Sequence, residues 1–150
     1  MLVKRLIQFL TLLVIYTHGV NASRRSSSVV SISDPKDGSL LLGPYLRIFE
    51  DKQGTARWED VLAGKHDADF QQQNKAVPNF GSTRSVIWVV VELMPEPSPR
   101  KENQSDELIL ELAHPILDSV DVVVQDLNTK EILQSWKTGD LRPFNTRAIE

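Results

Sequence analysis

The 150-residue sequence has no cysteine, which excludes a disulfide framework, a thiolate zinc site and a cysteine nucleophile. It has no apolar run of about eighteen residues, so no segment reads as a membrane-spanning helix of the mature protein. Basic residues are not in excess. The formal charge of -3 has the wrong sign for a general nucleic-acid binder and is too small for a polyelectrolyte tail. Aromatics make up only 7% and histidine appears three times. A Gly-rich phosphate loop, a GxSxG elbow and an HExxH helix are all missing. What remains is 41% apolar and 25% charged, which suits one domain with a buried core.

Residues 1-22 carry the pattern of a secretory leader. Lys4 and Arg5 form a positive start, Leu6 to Tyr16 an apolar stretch, and Val20 and Ala22 supply small residues for cleavage after Ala22. The apolar stretch is short for an anchor, and Gln8 and Thr11 weaken it further. No cysteine follows it for a lipid anchor. The expectation is a chain exported to an envelope or extracellular space. Asn103-Gln104-Ser105 matches the glycosylation pattern, which matters only in a host that modifies it.

Residues 23-39, rich in serine with Arg24-Arg25 and Pro35, read as a tether, and the domain is expected over 40-150. Trp58 to Leu62 suits one helical turn. Ser85 to Leu93 is β-branched almost throughout and apolar at both alternations, the mark of a central strand buried on both faces. Met94 to Asp106, with three prolines, predicts a loop. Glu107 to Leu112 alternates, with Leu108, Leu110 and Leu112 opposite Glu107 and Glu111. Val120 to Gln125 predicts a strand, Asp126 to Lys130 a turn, and Glu131 to Lys137 another alternating strand. Short strands between turns, without a long amphipathic helix, predict an all-β sandwich. A further strand starts after Pro143 as the sequence stops, so the domain is expected to lack its closing strand or strands.

Catalytic chemistry has little to stand on. His66-Asp67-Ala68-Asp69 is a weak metal pattern, His114 precedes Pro115 at a strand end, and Glu107 and Glu111 share a strand face with no sign of a cleft. No metal, cofactor or enzymatic activity is expected. Binding chemistry is better represented. A sugar ring stacks on tryptophan or tyrosine while Asp, Asn, Arg or Gln anchor its hydroxyls. Trp88, Trp136, Tyr45 and Trp58 are the candidate platforms; Trp88, inside a nearly wholly apolar strand, reads first as core packing, and Trp136 is better placed near a strand end. Arg142 and Arg147 are the candidate forks for a carboxylate or hydroxyls, with pairing to Asp140 or Asp118 as the alternative. Trp88, Trp136, Arg142 and Arg147 are therefore the expected ligand-binding residues.

Several segments, taken in order, resemble a known family. They are Leu42 to Leu46 with Glu50-Asp51, Trp58 to Leu62, Asn79 to Thr83 leading to Trp88, Leu110 to Leu112, Pro115 to Val122, and Thr138 to Asp140 with Pro143-Phe144 and Arg147. Their order and spacing across 42-149 are similar to the type 2 extracellular domain of bacterial seven-transmembrane receptors with diverse intracellular signalling modules (7TMR-DISM). The pattern positions are Phe80, Gly81, Trp88, Asp118, Asp121, Gly139, Asp140 and Arg147. The resemblance implies a jelly-roll sandwich similar to carbohydrate-binding modules, acting as a sensor outside the membrane. It implies a small-molecule or glycan ligand, and membrane contact only through helices that follow the domain in a full receptor. The alternative is a domain that docks its own copy or a partner receptor without a small ligand.

Overall fold

The computed structural model describes residues 9-16, 29-32, 39-95, 109-113 and 117-143. The strands are β1 (Phe9–Tyr16), β2 (Val29–Ile32), β3 (Arg47–Asp51), β4 (Gln71–Gln72), β5 (Val86–Pro95), β6 (Ser119–Asp126) and β7 (Ile132–Thr138). The one α-helix among the described residues is α1 (Trp58–Leu62), and no described helix is long and apolar enough to cross a membrane. The architecture is all-β, of the sandwich class that the strand pattern predicts. The strands run in the order β4-β3-β5-β1-β6-β7. β2 pairs with β5 over Glu92 to Pro95, past the stretch where β3 pairs with it.

β5 is the spine of the domain, as its composition predicts. Val91 is 1% exposed and Ile87, Trp88, Val89 and Val90 are all buried. Alternation along the strand separates two cores. Ile87, Val89, Val91 and Leu93 pack with Val30, under Leu42, Tyr45, Leu46 and Ile48. Trp88 and Val90 pack with Val61 of α1, under Phe49, Leu62 and Phe70. At roughly 1.5–3 kcal/mol for each fully buried branched side chain, these two clusters are what hold the sheet to its coverings.

Polar contacts fix the ends of the elements. The buried carboxylate of Asp51 accepts backbone N–H bonds from Gln53, Gly54 and Ala56 at 2.8–3.1 Å, which turns the chain out of β3 towards α1. The expected turn at Asp126 to Lys130 forms in the same way, with Asp126 accepting from the amides of Asn128 and Thr129. At the end of β7 the chain folds back so that Asp140 and Leu141 donate to the carbonyls of Leu117 and Asp118. Gly139 is required there. Its φ is +124°, and a Cβ would lie 2.5 Å from the Asp118 carbonyl oxygen.

Three elements differ from the sequence pattern. Residues 29-32, inside the expected tether, form β2 and bury Val30. Residues 9-16, inside the expected leader, form β1 between β5 and β6, parallel to both. Ile109 to Ala113, the described part of the alternating segment at 107-112, has no regular structure and is exposed. The last two are connected: the ladder positions between β5 and β6 are taken by β1, so the alternating segment does not pair there.

Candidate functional site

The second face of β5 opens into a cleft of about 400 Å³ between α1, β5, β6 and β7. From α1 and the residues before it come Ala56, Arg57, Trp58 and Glu59; β5 supplies Val86 and Trp88. β6 gives Ser119, Asp121, Val122 and Val123, and β7 gives Ile132, Ser135, Trp136 and Lys137. The antiparallel register of β6 and β7 pairs Asp121 with Lys137 and Val122 with Trp136, so Lys137 shares the face of Asp121 while Trp136, one residue back, shares that of Val122.

Two of the four expected ligand residues meet in this cleft. Trp136 is 37% exposed, so its ring is available to a bound group. Trp88 is only 5% exposed, yet its indole Nε1, fully buried, has no hydrogen-bond partner. Trp88 is thus a core residue that also lines the cleft, and its N–H is a buried donor without an acceptor. Arg142 lies beside the cleft, where its guanidinium donates to Asp121 Oδ1 at 3.2 Å while its Nε is also buried without a partner. The partner that the structure gives Arg142 is Asp121. Arg147 falls outside the described residues, as does His114. Of the other platform candidates, Trp58 joins the cleft at 43% exposed. Tyr45 packs on the opposite core.

The charges at the cleft are internally matched. Asp121 faces Arg142 and, at 3.9 Å, Lys137; Arg57 Nε lies 3.5 Å from Glu59. Behind α1, Lys65 donates to Asp60 and holds its carboxyl below the ordinary value, Arg57 and His66 adding weaker pulls. Such exposed pairs add little stability. The cleft presents aromatic and apolar walls with the Arg57–Glu59 pair at one side and two cations, Arg142 and Lys137, sharing the Asp121 carboxylate at the other.

The metal pattern has another use. His66 Nδ1 contacts Asp69 Oδ2 at 2.9 Å and its ring stacks on Phe49 at 5.4 Å. Among the described residues no group of three His, Cys, Asp or Glu side chains is placed to hold a metal ion. Sequence reasoning missed Asp121 and Glu59 as cleft residues. The alternation of β6 held the signal for Asp121, since Ser119, Asp121 and Gln125 share one face opposite Val120, Val122 and Val124.

The family model for 7TMR-DISM extracellular 2 matches residues 43–150. A search of the curated proteins gives no match.

Proposed function

The chain belongs to the 7TMR-DISM extracellular 2 family, the extracellular sensor domains of seven-transmembrane receptors, and from that premise we propose that it is a non-catalytic ligand-sensing ectodomain. Its ligand is a carbohydrate or another small uncharged molecule held in the cleft of Trp58, Trp88 and Trp136. The jelly-roll topology of carbohydrate-binding modules is part of the same proposal. The observation that carries it is a cleft lined by three tryptophans, Trp58 and Trp136 exposed and Trp88 buried with its indole Nε1 unpartnered. A buried donor without a partner costs about 1–3 kcal/mol, which a ligand acceptor recovers. The aromatic walls suit the apolar face of a pyranose. Binding acts on a receptor only through different affinities for two of its states.

The test is isothermal calorimetry of the exported protein against a panel of neutral mono- and oligosaccharides, repeated with Trp136→Ala. Saturable heat that Trp136→Ala weakens at least about tenfold, the worth of one aromatic stacking contact, supports the reading. Binding that survives Trp136→Ala unchanged excludes this cleft.

One observation favours a docking role. β7 is the last strand of the described sheet, and it exposes Ile132, Leu133 and Trp136. An edge strand with apolar side chains is a template for a second chain. Sedimentation separates the two: a dimer dispersed by Leu133→Asp, with no glycan heat, supports docking.

A further inference from the structure

β5 and β6 are parallel to each other because each is parallel to β1. The chain must therefore return from the end of β5 to the start of β6, a distance of about 25–30 Å for strands of this length. The slot between them is one strand wide, and residues 96-118 join its two sides. An antiparallel strand within that stretch makes the return, and it fits between two parallel neighbours by pairing with both. Ile109 to Ala113 lies there, carries the alternating pattern, and stands exposed, Ile109 at 90%. The strand now in the slot, β1, is the apolar stretch of the expected leader.

We propose that in the exported chain, once the leader is cleaved after Ala22, Ile109 to Ala113 form the strand between β5 and β6, antiparallel to both. The faces follow from the two sides of the slot. One side meets the wholly apolar cluster of Ile87, Val89 and Val91, which takes Leu110 and Leu112. The other side is the cleft: Trp88 and Asp121 line it, and both are in register with the slot position of Thr11. That side receives Ile109, Glu111 and Ala113. Glu111 thereby becomes a binding residue of the cleft floor, on the face that Trp88 and Asp121 share, with Arg142 and Lys137 already facing Asp121. As an acceptor it is suited to ligand hydroxyls. The inference rests on leader cleavage and on the cleft as the ligand site.

The test starts from the full-length chain exported from its own start, with intact mass giving the N-terminus. Amide exchange of Ile109 to Ala113 is then compared with that of β5. Exchange slowed about a hundredfold or more relative to an unstructured peptide supports the strand; exchange at the unstructured rate in a cleaved chain overturns it. A mass that retains residues 1-22 overturns the inference through its premise, a distinct result. An Ala22→Phe variant that keeps the leader is expected to lose the protection at 109-113 while β5 keeps its own. Glu111→Gln shifts the Trp88 indole N–H resonance and Glu107→Gln does not; equal shifts, or none, remove Glu111 from the cleft. Protection found only in a dimer places the segment in a second copy and overturns the intramolecular form.

Discussion

Replacing Val91 with alanine removes two carbons from the most buried large side chain among the described residues, 1% exposed at the centre of β5. Transfer of two methylene equivalents costs about 1.6 kcal/mol, and the surrounding side chains cannot close the space without moving β5 itself. The cavity term brings the expected loss to about 2–3 kcal/mol. For a domain of this size that is a fall in Tm of about 10 °C. Val77→Ala is the matched control, since Val77 is 72% exposed and loses almost nothing. Thermal unfolding of both variants, followed by far-UV circular dichroism, makes the comparison. If Val91→Ala melts with Val77→Ala and the parent, β5 is not the spine of the fold. The two-core description, and the cleft built on it, then fail.

The other predictions are more local. Asp51→Ala leaves three backbone amides at the end of β3 without their acceptor; urea unfolding is expected to show a loss of about 2–3 kcal/mol. Gly139→Ala forces a side chain into a positive φ and against the Asp118 carbonyl, so its urea midpoint falls by the equivalent of at least about 2 kcal/mol. Asp60 titrates below the ordinary value of 3.8 because Lys65 donates to it. The pairing is present above that value and is lost as pH falls through the lowered one. Side-chain NMR shows the low midpoint, and Lys65→Met returns it upward.

Legibility in the sequence followed the strength of the burial signal. β5 was readable because nearly every residue from Val86 to Val91 is β-branched or aromatic, a composition that only a strand buried on both sides satisfies. α1, β6, β7 and the turn at Asp126 to Lys130 were readable from the same alternation and turn chemistry. Val29 to Ile32 was hidden because its two valines sit among serines, where flanking composition outweighs a four-residue strand. The pairing of β1 with β5 and β6 was not readable, since the apolar run at 6-16 satisfies a leader and a buried strand equally. Of the site, the tryptophans were found by chemistry, while the partner of Arg142 was not. Asp118, Asp121 and Asp140 are equivalent in sequence, and only the register of β6 with β7 and the turn at Gly139 brings Asp121 within 3.2 Å.

The sensing account turns on Trp88, one of only three tryptophans in the chain, so three indole N–H resonances report on it directly. The decisive measurement is a ¹⁵N-correlated NMR titration with the saccharide that gives heat in calorimetry. The account predicts that the Trp88 indole N–H moves with ligand, together with those of Trp58 and Trp136, as a ligand oxygen accepts the bond that no described residue accepts. A ligand that saturates the protein while the Trp88 resonance stays fixed would contradict it.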